Sequence, residues 1–165
     1  MSAVARAFAI AAGAALLIGL LCETATGAGK LQFTIALRTG SYSVGRPVPL
    51  DMTLTNASPS SVRVNGRLAV NDEREPAAFR EVTFDIRTPS GKRASFRLDI
   101  KRGAAHPSDV VSLKPHDSIK KTVDVAHYYA VHETGTYEMR ATYASAAPGA
   151  ENGPVTSNAL RFAVR

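Results

Sequence analysis

The chain has no tryptophan, a single cysteine, and only five Tyr and six Phe among its 165 residues. With no Trp and so few rings, Tyr128, Tyr129, Tyr137 and Tyr143 are expected to fill a core rather than to line a sugar- or peptide-binding face. Cys22 alone forms no intrachain disulfide and no C-x-x-C redox or zinc motif, so the fold must be held by its core. There is no G-x-S-x-G elbow, no phosphate loop and no dinucleotide fingerprint. Asp and Glu are scattered over strands and turns, so no acid–base pair can be assigned. No second apolar run is long enough to cross a membrane once the N-terminal segment is set aside. The formal charge is +6, but no dense basic run is interleaved with aromatics, so no specific nucleic-acid site is expected. The excess charge suits solubility and weak attraction to acidic surfaces.

One stretch imitates chemistry. His132-Glu133 opens like a zinc-protease motif, which needs a second His four residues on so that both imidazoles reach one metal from a helix. Thr136 stands there instead, and Gly135 would weaken a helix. From Tyr137 the pattern is Tyr-x-Met-x-Ala-x-Tyr, with Glu138, Arg140 and Thr142 between. That is period two, a strand with one buried face. The four histidines, His106, His116, His127 and His132, lack metal-ligand spacing, and no cofactor or metal is expected.

The N-terminus reads as a secretory signal peptide over residues 1–28. Arg6 supplies the positive start, Ala7 to Leu21 the apolar run, and Thr24 to Ala28 the small residues of a cleavage site. Cleavage near Gly27 or Ala28 would leave one domain, 29–165, in a secreted or periplasmic location. A lipid-anchored alternative at Cys22 matches poorly, because Leu21 occupies the position where a small residue belongs.

Short alternating segments follow one another along the rest of the chain. They are Leu31–Arg38, Val48–Asn56, Ser61–Val64, Glu81–Arg87, Ala94–Ile100, Val110–Leu113, Ile119–Val125, Tyr137–Tyr143 and Leu160–Val164. Turn clusters such as Asn56–Ser61, Thr88–Lys92 and Lys114–Asp117 separate them. Pro47 and Pro49 place the start of the second strand at an edge or before full pairing. Asn65-Gly66 suits a tight hairpin. Glu81–Arg87 and Ala94–Ile100 predict a hairpin with Phe84 opposite Leu98 and Asp85 opposite Arg97. About seven to nine short strands without a convincing helix predict an all-β, immunoglobulin-like antiparallel β-sandwich.

Several phrases carry a family likeness. Gly45-Arg-Pro-Val-Pro-Leu50 with Thr53-Leu-Thr-Asn56, Leu113-Lys-Pro115-His-Asp-Ser-Ile119, Thr134-Gly135-Thr136-Tyr137, and Ser157-Asn158 before Leu160-x-Phe162 resemble bacterial immunoglobulin-like modules. The order of these phrases also resembles the β-rich N-terminal region of deuterolysin and peptidyl-Lys metalloendopeptidase-like proteins, without their catalytic domain. The resemblance implies structural roles for Asn56, Gly135, Tyr137 and Asn158. Tyr137 then either closes a tyrosine corner through its hydroxyl or simply packs in the core. Asn56-Ala57-Ser58 also matches an N-glycosylation acceptor.

Lys92, Arg93, Arg97, Lys101 and Arg102 give the Ser90–Arg102 segment a basic outer face. That face is either an interaction surface or a solvated strand face that discourages edge pairing. Together these features describe a non-enzymatic secreted or periplasmic module acting through protein–protein interaction with an unknown partner, such as a secreted protease or envelope component. The alternative is a protease inhibitor or a free-standing, pro-region-like protease regulator.

Overall fold

The computed structural model describes residues 30–98, 103–145, 147–150 and 153–165. The expected signal peptide, Cys22, Lys101 and Arg102 lie outside the described residues.

The described chain is an all-β sandwich. One sheet contains β1 (Leu31–Leu37), β3 (Pro49–Asn56) and β7 (Ser118–Asp124), antiparallel in the order β1-β3-β7. The second contains β2 (Ser41–Tyr42), β10 (Leu160–Val164), β8 (Gly135–Tyr143) and β5 (Val82–Arg87) in the order β2-β10-β8-β5, with β9 (Val155–Thr156) against the end of β8. The short β2–β10 pairing is parallel. A separate ribbon joins β4 (Val62–Asn65) to β6 (Val110–Leu113).

Alternation sets which face each strand buries. Leu31, Phe33 and Ile35 of β1, Leu50, Met52 and Leu54 of β3, and Tyr137, Met139, Ala141 and Tyr143 of β8 all enter one core. Between the sheets, Phe33 meets Tyr143 with ring centroids 6.0 Å apart. Within the second sheet, Tyr137 stacks on Phe162 at 5.2 Å. β3 is central, and Pro49 sits at its first position, beyond the last β1 pair, Leu37 with Leu50.

Three local expectations are corrected. Asn65-Gly66 is not a tight hairpin: β4 pairs with the distant β6, and Gly66 N–H extends that ladder to the Asp109 carbonyl at 2.9 Å. An added Cβ there would lie 3.0 Å from Val111 Cγ2, so a larger residue would push that side chain aside.

The Glu81–Ile100 hairpin is also not formed as predicted. Phe84 pairs with Ala141 and Asp85 with Arg140 on β8. The Thr88–Lys92 turn does close, and Ala94 N–H reaches the Ile86 carbonyl at 2.8 Å. The chain then leaves β5, because Phe96 bridges to Tyr129 and their rings pack edge to face at 5.1 Å. Asp85 is met by Arg93 at 3.0 Å rather than by Arg97. Finally, the expected strand Ile119–Val125 ends at Asp124, and Val125–Tyr128 is one helical turn (α1); the Asp124 carboxylate caps it by accepting from Ala126 N–H at 3.0 Å.

Candidate functional site

Three buried tyrosines use their hydroxyls on the main chain. Tyr143, on β8, accepts from Asn65 N–H at 3.0 Å and donates to the Asn65 carbonyl at 3.1 Å. Tyr137 does the same with Glu133, accepting from its N–H at 2.8 Å and donating to its carbonyl at 3.0 Å. That is the corner bond, made four residues upstream. Tyr129 differs. It accepts from Phe84 N–H at 3.2 Å, and among the described residues nothing takes its own proton. Burial raises the pKa of all three phenols, that of Tyr129 to about 12, so all three are neutral donors at ordinary pH.

The Tyr129 hydroxyl lies at a gap in the edge of β5. Val82, Phe84 and Ile86 turn their main-chain groups away from β8. Val82 is covered, its N–H going to the Ala69 carbonyl at 3.0 Å and its carbonyl accepting from Asn71 N–H at 2.8 Å. The Ile86 carbonyl is covered by Ala94 N–H at 2.8 Å. Between them the two covering segments part. At Phe84 the Tyr129 hydroxyl stands in for a strand on the N–H side, and no described group donates to the Phe84 carbonyl.

This gap is a cleft of about 250 Å³. Its floor is Phe84, Tyr129 and Ala94, all buried, with half-buried Phe96 beside them. Tyr129 stands edge-on to Phe84 at 5.9 Å and to Phe96 at 5.1 Å, the geometry that aromatic quadrupoles favour. The rim is charged but internally matched. Arg74 forks onto the Asp72 carboxylate, its Nε at 2.8 Å, and this hydrogen bonding holds the Asp72 pKa below the usual carboxylate range. Arg93 joins Glu73 at 2.5 Å and Asp85 at 3.0 Å. The cleft thus offers an apolar floor with one spare donor and one spare acceptor, inside a ring of paired charges.

The sequence-derived structural residues are placed as follows. Gly135 starts β8 at φ +135°, where an added Cβ would lie 2.7 Å from Pro89 Cβ. Asn56 is fully buried and all of its amide is used: Nδ2 donates to the Ser60 and Leu113 carbonyls at 2.8 and 3.0 Å, and Oδ1 accepts from Ser58. The apparent glycosylation acceptor is therefore closed to a modifying enzyme in the folded domain. Asn158 lays its carboxamide along the edge of β1, accepting from Ile35 N–H at 3.0 Å and donating to the Ile35 carbonyl at 3.1 Å.

The basic face is only partly such. Lys92 is exposed, Arg93 sits in the cleft rim between two carboxylates, and Arg97 donates to the Ala126 carbonyl at 3.2 Å. The histidines are dispersed: His106 caps a short 3-10 turn, His116 takes a left-handed turn position, and His127 and His132 are exposed. Among the described residues no group of three or more His, Cys, Asp or Glu is placed to hold a metal. No helix of the described residues is long and apolar enough to cross a membrane.

Sequence reasoning missed the pairing of Tyr129 with Phe84, which lie 45 residues apart. The one available signal was the Tyr128-Tyr129 pair. Both could not enter the same core from an extended strand, so one ring had to turn elsewhere.

No protein-family model matches the chain, and no curated protein matches it. Among solved structures it is similar to the CARDB domain of a Pyrococcus furiosus protein, solved in complex with di-metal ions. The identity is 14%, the match covers 82% of this chain and 87% of that one, and the TM-score is 0.40. This likeness gives no support to the deuterolysin resemblance in particular and transfers no residue role.

Proposed function

We propose that the domain is a non-catalytic binding module that recognises an extended segment of another polypeptide at the cleft beside β5. One observation carries this reading: a buried tyrosine hydroxyl with an unspent proton stands at an unpaired strand carbonyl, on an aromatic floor open to solvent. Buried polar groups are ordinarily satisfied, so a donor and an acceptor left open on the edge of β5 call for a matching group from a bound segment. The matched ion pairs around the rim leave little net charge there, which suits a segment chosen by shape and hydrogen bonds rather than by charge alone. The N-terminal pattern supports export, so the partner is sought outside the cytoplasm. Mass measurement of the exported protein should give a chain beginning after Gly27 or Ala28, and an intact N-terminus would remove the export reading.

The test is selection of short random peptides, displayed on phage, against the immobilised full chain. Retained peptides should bind the native protein and not Ser95→Trp, which places a large ring at the exposed cleft wall. No retained peptide, or retention indifferent to Ser95→Trp, would overturn this function.

A further inference from the structure

The cleft has one feature that narrows its ligand further, on the reading that it binds a polypeptide. We infer that the group read at its floor is the side-chain carboxamide of an Asn or Gln in the bound segment. Its C=O takes the Tyr129 proton, and its NH2 donates to the Phe84 carbonyl. The floor offers one donor and one acceptor side by side, which only a group with both functions can match. A carboxylate accepts but cannot donate, and an ammonium or guanidinium donates but cannot accept.

The molecule already solves the same problem this way. At the edge of β1, the Asn158 carboxamide satisfies both main-chain groups of Ile35, at 3.0 and 3.1 Å. Asn71 Oδ1 also accepts from Glu81 N–H at 2.9 Å, a carboxamide holding the main chain just before β5. In the outward row Val82 and Ile86 are covered by main-chain groups, and Phe84 is the position whose carbonyl no described group reaches. A main-chain strand is the poorer fit, because the edge is already covered at Val82 by Asn71 and at Ile86 by Ala94. That leaves roughly 13 Å between the flanking contacts along the strand axis. A side chain entering end-on needs far less than an added strand. The Phe96 ring, edge to face with Tyr129 at 5.1 Å, gives the amide an apolar wall while its two polar atoms are paired.

The experiment is a double-mutant cycle by titration calorimetry on the full chain, using the tightest peptide from the phage selection. Its Asn or Gln is replaced by Leu in one arm and by Asp or Glu in another. A third arm N-methylates its main chain at the neighbouring residues. The protein arm is Tyr129→Phe, with its thermal melt recorded to confirm that it is folded. The expected result is a loss of affinity of tenfold or more for the Leu and acidic peptides. Tyr129→Phe should give a similar loss with the native peptide and no further loss with the Leu peptide, the non-additivity that marks a direct pair. N-methylation should change little.

Three results would overturn the carboxamide while leaving the binding function intact: selected peptides without Asn or Gln, additive losses in the cycle, or a large N-methyl effect, which would show a main-chain strand in its place. Absence of any cleft-dependent peptide would instead overturn the function itself.

Discussion

Tyr143 and Tyr129 are both buried phenols that accept a main-chain N–H from a residue far away in sequence. Tyr143 also returns its proton to the carbonyl of the same residue, at 3.1 Å, and so closes a two-bond loop at the end of β4. Tyr129 makes one bond and keeps its proton beside an unpaired carbonyl. The closed site joins sheet to ribbon with nothing left to offer a ligand. The open one keeps the same chemistry available at the surface. Burial alone therefore does not separate a structural tyrosine from a recognition tyrosine; the count of satisfied bonds does.

If that contrast is correct, removing the two hydroxyls should have opposite signatures. Tyr143→Phe strands both main-chain groups of Asn65, a residue that is itself fully buried. With about 1–3 kcal/mol for each unsatisfied buried group, the loss of stability in urea melts should be about 3 kcal/mol, with no effect on peptide binding. A loss under about 1 kcal/mol would mean that water or relaxation replaces the hydroxyl, and the closed site would lose its distinction.

Alkaline pH acts on all three phenols at once. Their folded pKa values are raised by burial. The folded state thus holds the phenolic proton more tightly than the unfolded chain does, and stability is complete below the ordinary tyrosine value of about 10. It is lost as pH rises from there toward the folded values. For Tyr129, at about 12, the loss approaches 3 kcal/mol, an order-of-magnitude figure. Tyrosinate absorbance and circular dichroism should change together above about pH 10. Independent ionisation of Tyr129 in the folded state near the ordinary value would contradict its burial.

Tyr137→Phe should cost less than Tyr143→Phe, about 1–2 kcal/mol, because the main chain it holds at Glu133 is only half-buried. Tyr129→Phe should cost least in stability, about 1 kcal/mol, since one N–H loses its partner, yet of the three it alone should weaken cleft-dependent binding. Equal stability losses for Tyr143→Phe and Tyr129→Phe would dissolve the comparison.

Asn158→Ala tests the carboxamide theme from the structural side. Both Ile35 groups lose their partner at a part-buried edge that water can reach once the carboxamide is gone, so the expected cost is about 1 kcal/mol. The opened β1 edge should raise self-association in sedimentation experiments. An unchanged association state would show that the edge is protected in another way.

Much of the architecture is legible from alternation. Leu31, Phe33 and Ile35 announce β1, and Tyr137, Met139, Ala141 and Tyr143 announce β8, because a period of two is the only arrangement that buries one side of such a segment. The sequence marks Asn158 and Asn56 as structural, but nothing local says that one caps a strand edge and the other folds into its own turn. Arg93 is visible as a charge and not as part of a rim, since its carboxylates come from Glu73 and Asp85. Pairing was the least legible level. The pattern at Glu81–Arg87 and Ala94–Ile100 fits a hairpin as well as it fits two segments with other partners. The side-chain period fixes which face is buried, and it does not fix which strand lies alongside.

Composition and period by themselves determined an all-β sandwich, its strand faces and most of its turns, because burying apolar side chains on one face is a local constraint. Tertiary structure alone decided that Phe96 leaves β5 for Tyr129, and hence that a gap opens at Phe84. The choice depends on the competing rings and main-chain groups that meet there from segments far apart in the chain, and its energy exists only once they have met.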